Sequence, residues 1–365
     1  MIKIKFSLSF ILFFIGSIAI AQNLKLVKSD NGRLNYMGRV QETDSCTKFY
    51  WCGTSVQLKV ENSPTVKVIL SENFDVNYYD IIIDGKYNNK IKILKGKHTY
   101  DVANGLSNET HIIQLFKATN TDEHITSFYG FLVSEDAEVL RQKDKKELKM
   151  EFFGDSITAG HGVEVPDGQP DSWFPEFFNN YFTYAAITSR YFNAAYHNTS
   201  KSGIGITVSW DKAIMPEIYN RLNPNDSLST WDFKKYQPDI VVVNLFQNDN
   251  SLVLNPSHVQ FKRRFGTTKP SEDFIINAYA DFIGSLRKVY PKAKIICALG
   301  NMDAVNKGSK WPGYIQKAIS KLNDKKIYCK IFEPKTTSGH PRIKEQNAMA
   351  NELIKFIENN KLDKS

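Results

Sequence analysis

The sequence predicts a β-sandwich or jelly roll followed by an α/β unit built on a parallel sheet, and three observations support this. Residues 24–140 read as short β-like runs between turn residues. Arg141 to Lys149 is a charged stretch holding Lys143, Asp144, Lys145, Lys146 and Glu147 in succession. Beyond it, apolar runs alternate with amphipathic helical segments, the pattern of a parallel sheet covered on both faces.

The chain starts with Lys3 and Lys5, an apolar run from Phe6 to Ile20, and Ala19-Ile20-Ala21 before a polar region. That is the layout of a secretory leader, with cleavage expected after Ala21 and a secreted or periplasmic product. The run is short for a spanning helix and no cysteine follows it, so no stable membrane anchor is expected. The expected organisation is a leader over 1–21, a β-sandwich over 22–140, a linker over 141–149 and an α/β domain over 150–365.

Within the sandwich the runs are Lys48–Cys52, Ser55–Val60, Thr65–Leu70, Tyr79–Ile83, Lys90–Leu94, His111–Ala118 and Phe128–Val133, with Asp84-Gly85 as a hairpin signal. The later strands are Met150–Phe153, Ala194–Asn198, Ile240–Leu245, Ile295–Leu299 and Ile327–Phe332. The helical stretches are Phe177–Phe192, Asp273–Val289, Tyr314–Leu322 and Ile343–Asn359.

Composition narrows the partners. Losing Lys3 and Lys5 with the leader takes the formal charge from +8 to +6, modest for 365 residues, and the lysines are not interleaved with aromatic platforms. Nucleic acid is therefore not an expected partner. Four cysteines are few for a disulfide scaffold. Cys46 and Cys52 flank a short aromatic turn, and the sequence leaves open whether they are bridged; Cys297 and Cys329 lie in apolar runs and read as buried thiols. Oligomeric state is also open.

The chemistry lies at the carboxyl ends of the later strands. Gly154-Asp155-Ser156-Ile157-Thr158 presents a serine hydroxyl where a strand gives way to a helix start, a place suited to a nucleophile. An alcohol needs a base, and among seven histidines His340, in Ser338-Gly339-His340-Pro341 after the last strand, fits best. Pro341 suits the first position of a helix. His161 is the rival, on a helix expected to aim it elsewhere. Donors for an oxyanion are expected from the Ser156 N–H, from Gly203 in Ser202-Gly203-Ile204-Gly205, and from the Asn248 amide in Phe246-Gln247-Asn248-Asp249. Together they point to acyl hydrolysis.

These ordered blocks resemble those of the GDSL or SGNH hydrolases, and with a β-rich domain ahead of them the chain is similar to the two-domain acetyl esterases of carbohydrate esterase family 2. Gly38-Arg39, Ile83-Asp84-Gly85, Phe128-Tyr129-Gly130-Phe131, Met215-Pro216 and the run from Pro238 to Leu245 also fit that likeness. The resemblance implies a flavodoxin-like SGNH domain and removal of O-acetyl groups from polysaccharides such as xylan or glucomannan, without a cofactor. It implies Ser156 as nucleophile, His340 as base, and Ser156, Gly203 and Asn248 as the oxyanion donors.

Two positions depart from the family pattern. Thr337 stands where an aspartate precedes the histidine by three, which leaves a backbone carbonyl, Glu333 or Asp303 to orient the imidazole. Phe246 replaces a glycine and is expected beside the acyl pocket. Trp210, Phe246 and Trp311 are the expected sugar-binding residues, with Trp173 a further aromatic in this part. A lipid or thioester hydrolase is the alternative within enzymes, although the polar loop from Asp167 to Asp171 gives no sign of an acyl channel. A carbohydrate-binding protein with an impaired hydrolase domain is the alternative outside them, motivated by Phe246 and Thr337.

Overall fold

The computed structural model describes residues 23–119, 124–142, 146 and 148–364. The expected leader and cleavage site lie outside these residues, as do Lys143, Asp144, Lys145 and Glu147 of the expected linker. Among the described residues no helix is long and apolar enough to cross a membrane.

Twelve strands come first: β1 (Leu24–Lys28), β2 (Asn35–Met37), β3 (Val40–Glu42), β4 (Thr47–Phe49), β5 (Ser55–Glu61), β6 (Thr65–Glu72), β7 (Tyr78–Ile83), β8 (Lys86–Lys92), β9 (Gly96–Asn104), β10 (His111–Lys117), β11 (Thr126–Ser134) and β12 (Glu138–Leu140). They form two antiparallel sheets, β3-β4-β11-β6-β9 with β1 beside β11, and β12-β5-β10-β7-β8 with β2 beside β5. Strict alternation puts one side of β6 inside: Val66, Val68 and Leu70 are fully buried while Thr65, Lys67 and Ile69 are not. Phe49, Tyr79, Phe128 and Phe131 fill the space between the sheets. The strands β1, β2, β3, β9 and β12 do not stand out in the sequence: β2, β3 and β12 have three residues each and carry no periodicity, β1 buries only Val27, and β9 is mostly exposed.

The second part is a five-stranded parallel sheet in the order β14-β13-β15-β16-β17, from β13 (Lys149–Gly154), β14 (Ala195–Ser200), β15 (Ile240–Asn244), β16 (Lys294–Leu299) and β17 (Ile327–Ile331). Its helices are α1 (Ser156–Ala159), α2 (Tyr184–Tyr191), α3 (Met215–Ile218), α4 (Gln247–Val253), α5 (Val259–Phe265), α6 (Glu272–Val289), α7 (Trp311–Leu322) and α8 (Ile343–Asn359). Alternate residues of each central strand serve opposite faces. Ile240 and Val242 pack with α2 and α8, and Val241 and Val243 pack with α6 and α7. The order reverses at β13, so the crevice beyond its carboxyl end is the topological switch point where such sheets place ligands.

One helix is shorter than the sequence suggests. Of Phe177–Phe192 only Tyr184–Tyr191 is α-helical, preceded by short 3₁₀ turns at Pro175–Phe177 and Asn180–Phe182. The Asn179 and Thr183 side chains accept backbone N–H groups of Tyr181 and Ala186, so each starts a new turn where a continuous helix would pass. Similarly, α8 begins at Ile343 with Arg342 as its cap, so Pro341 precedes the helix rather than opening it.

The two parts share their cores. Tyr50 and Trp51 join the cluster on the α6 and α7 face, and Ile82 and Phe116 join the one on the α2 and α8 face. Between them Arg39 is buried with Nη2 against Glu151 of β13 at 3.0 Å, and its Nη1 donates to the carbonyls of Tyr219 at 2.6 Å and Arg221 at 2.8 Å. Glu151 also accepts the hydroxyls of Thr199 and Tyr290. Among the described residues no disulfide joins the cysteines; Cys52 is buried with the Asn198 amide 3.5 Å from its sulfur, and Cys329 is only half-buried.

Two outcomes follow from this junction. Arg39→Ala leaves Glu151 buried and unpaired, so it is expected to cost about 3–5 kcal/mol, read as a lower denaturant midpoint. Asp80, fully buried with the Asn179 amide at 3.1 Å, has its carboxyl raised to about 8 by burial first and by Glu164 next. The folded state thus holds this proton more tightly than the unfolded one. Its stabilising contribution is full below about pH 4 and declines as pH rises to about 8. Asp80→Asn is expected to flatten that decline and to raise Tm at the alkaline end, as thermal melts across that range would show.

Candidate active site

Ser156 follows β13 at the first position of α1, where Asp155 caps the helix by accepting the Ile157 N–H at 3.0 Å. His340 lies between β17 and α8, and its Nε2 is 2.9 Å from Ser156 Oγ. The two residues are 184 positions apart in sequence. His340 Nδ1 is 2.7 Å from Asp171 Oδ2, and the His340 backbone N–H also donates to both oxygens of that carboxylate at 3.0 Å. Arg342 Nη1 donates to Asp171 Oδ1 at 2.7 Å. Although burial alone would raise it, hydrogen bonds from His340 and Arg342 hold the Asp171 carboxyl well below the usual carboxylate range.

The group beside the imidazole is therefore Asp171, not a bare carbonyl, Glu333 or Asp303. Glu333 is exposed beside Glu352, and Asp303 starts a 3₁₀ turn that lines the cavity without a hydrogen bond to His340. Thr337 points away, its hydroxyl paired with Glu345 and Lys335. Gly339 makes the contact possible: its φ is +71°, and a Cβ there would lie 2.3 Å from Asp171 Oδ1.

His161 was expected to aim elsewhere, yet its ring lies 4.4 Å from that of His340, packed on Phe178 and under Trp173. Burial foremost, and His340 next, lower it to about 3, and it makes no hydrogen bond to Ser156. It stays neutral and is wall rather than base.

Ser156 and His340 open into a cavity of about 470 Å³ lined also by His161, Trp173, Gly203, Trp210 and Asn248. Gly203 has φ +76°, and Trp210 packs over it. The Asn248 amide donates to the Ile204 carbonyl at 2.8 Å, with Asp155 Oδ2 farther off at 3.4 Å. Asp249, next in sequence, fixes both donors: its carboxylate accepts the N–H groups of Ile206 at 2.9 Å and Thr207 at 2.6 Å, and the Thr207 hydroxyl at 2.6 Å. That ties the glycine loop after β14 to α4. Asp155 is pushed up to about 7 by burial and then by Asp249.

The chain matches two sequence families in order, Carbohydrate esterase 2 N-terminal over residues 36–142 and GDSL-like Lipase/Acylhydrolase over residues 152–327. The chain is thus similar to the GDSL-type hydrolases and shares the two-domain architecture of the family 2 carbohydrate esterases. It is 29% identical to the cellulase/esterase CelE of Acetivibrio thermocellus over 93% of this chain, and it spans about two fifths of that relative's length, 41%. It is 27% identical to an acetylxylan esterase / glucomannan deacetylase of Cellvibrio japonicus over 79% of each chain. A family two carbohydrate esterase from Clostridium thermocellum, solved in complex with cellohexaose, superposes with a TM-score of 0.78 at 28% identity, covering 90% of this chain and 98% of that one.

In this family 2 architecture the aromatic expectations divide. Trp210 lines the cavity, 49% exposed, and Trp173 stands at its rim, 77% exposed. Phe246 and Trp311 do not line it. The Phe246 ring is fully buried against Tyr279 at 4.6 Å and Trp311 at 4.9 Å. Its backbone has φ +95°, which turns the side chain under α4 instead of into the cavity. Asp171, Arg342 and Asp249 were missed as site residues. For Asp249 the signal was adjacency to Asn248; for Asp171 and Arg342 no local pattern exists.

Phe246→Gly therefore tests a packing role. Losing the ring costs about 3–5 kcal/mol, and relief of the left-handed conformation returns about 1–2 kcal/mol. A net loss near 2–3 kcal/mol is expected in denaturant melts, with an unchanged preference between acetyl and butyryl esters.

Proposed function

We propose that this chain is an exported carbohydrate O-acetyl esterase acting on acetylated polysaccharides such as xylan or glucomannan. The observation that carries the chemistry is the unbroken contact string from Ser156 Oγ to His340 to Asp171 at the mouth of one cavity. The names of the relatives, acetylxylan esterase / glucomannan deacetylase among them, support the substrate class, as does the cellohexaose bound by the Clostridium thermocellum esterase. The apolar leader ahead of the described residues supports export.

In this reading Ser156 Oγ attacks the acetyl carbonyl while His340 Nε2 takes its proton. Asp171 holds Nδ1–H, which fixes the tautomer and offsets the imidazolium charge. The tetrahedral oxyanion is held by the N–H groups of Ser156 and Gly203 and by the second Asn248 amide hydrogen, which has only the 3.4 Å contact to Asp155 to give up. Collapse breaks the bond to the sugar oxygen, which leaves with the proton from His340. Water, deprotonated by the same imidazole, then attacks the acetyl-serine, and acetate departs as Ser156 regains a proton. Trp210 and Trp173 supply flat apolar faces for pyranose rings at the cavity.

Neither of the two departures from the family pattern impairs this machinery. The Phe246 ring lies under α4, clear of the cavity, and the carboxylate lacking at Thr337 is present as Asp171.

The test is acetate release from acetylated xylan and glucomannan, alongside burst kinetics with p-nitrophenyl acetate. Ser156→Ala is expected to lower turnover by roughly 10³-fold or more with folding intact. Asp171→Asn, which strands the wrong tautomer, should lower it by roughly 10²- to 10⁴-fold, whereas Glu333→Gln should change little. Wild-type rates in Ser156→Ala would remove the assignment, and wild-type rates in Asp171→Asn would return the site to a dyad.

A further inference from the structure

Asp171 comes from an irregular segment between α1 and α2, and its own neighbours do not hold it. Arg342 does. That guanidinium is buried, and its Nη1 reaches both Asp171 Oδ1 at 2.7 Å and the Gly162 carbonyl at 3.0 Å, while Nη2 reaches the Gln169 carbonyl at 3.2 Å. Arg342 is itself fixed as the cap of α8, where its backbone N–H donates to Glu345 at 2.7 Å. One side chain thus clamps the segment carrying the carboxylate to the stretch of chain carrying His340.

We propose that Arg342 is a positioning residue that sets how readily His340 is protonated, by sharing Asp171 with it. This rests on the catalytic reading of Ser156, His340 and Asp171 given above. The carboxylate divides its charge between two partners: Oδ2 faces His340 Nδ1, and Oδ1 faces the guanidinium. A carboxylate already paired with a cation stabilises a second cation less. The base is thereby kept free of its proton to lower pH than a lone carboxylate would allow. Each turnover releases acetic acid, so an acid-tolerant base suits a reaction that acidifies its own medium.

Other charged groups surround this pair. Lys335 reaches the Thr337 carbonyl at 2.6 Å and lies near Asp171, Glu345 caps α8 beside Arg342, and Asp303 lines the same cavity as His340. His161, against the ring of His340, is neutral throughout the working range. The Arg342 charge also acts on His161 and Lys335, so the Asp171→Asn background is what isolates the contribution made through Asp171.

The experiment is the pH dependence of kcat/KM for p-nitrophenyl acetate in the full chain. Arg342→Gln, which removes the charge, is expected to move the acidic limb to higher pH by about one unit. Arg342→Lys keeps the charge but loses the fork, so its limb should stay in place while kcat falls about tenfold. Adding Arg342→Gln to Asp171→Asn should leave the limb where Asp171→Asn alone puts it, because the effect runs through that carboxylate. An unmoved limb in Arg342→Gln, or an equal shift in Arg342→Lys, would overturn the proposal. Should Arg342→Gln fail to fold, Arg342→Lys decides alone: a moved limb or an undiminished kcat overturns it. Failure of the catalytic reading looks different, since Ser156→Ala would then hydrolyse the ester at the wild-type rate.

Discussion

The buried pair of Arg39 and Glu151 is the contact on which the arrangement of this molecule depends. Two charges removed from water carry a large desolvation cost, which their mutual attraction and further hydrogen bonds offset. Here Nη1 donates to the carbonyls of Tyr219 and Arg221, and Thr199 and Tyr290 complete the carboxylate, while the buried Nε has no hydrogen-bond partner among the described residues. The rings of Trp51, Phe153, Trp231 and Phe233 surround the guanidinium within 6 Å, where a cation gains from their faces. Arg39 belongs to the sandwich and Glu151 to β13, the strand that ends at Ser156. The sandwich therefore fixes the strand that presents the serine.

At the carboxyl edge of the parallel sheet, buried carboxylates do the local ordering. Asp155 caps the first turn at Ser156, and Asp249 gathers three successive backbone N–H groups from the loop after β14. Each is costly to bury and each is satisfied by backbone donors that would otherwise be orphaned. Gly205 leaves the room this requires, since a Cβ there would lie 2.5 Å from Asp249 Oδ2. Three strand ends are thus held in register by acid groups that take no part in the bond changes.

The segment that brings Asp171 also brings Trp173 to the cavity rim. The aromatic wall at the rim and the carboxylate beside the imidazole are separated by one residue. His161, against Trp173 on one side and His340 on the other, fills the space between them.

The sequence by itself determined the two-part architecture, the five parallel strands and the placement of Ser156, Gly203, Asn248 and His340 at strand ends. Those features are local: period-two apolar runs, a turn glycine before a serine, an asparagine just after a strand. Only the tertiary structure decided that Asp171, 169 residues from His340, supplies the carboxylate, and that Arg342 holds it there. It alone decided that Phe246 turns inward through a left-handed backbone and that Trp311 packs beneath it while Trp210 stays in the cavity. A contact between irregular segments leaves no periodic trace along the chain, and the direction of a side chain from a turn is set by a dihedral angle that residue identity does not encode.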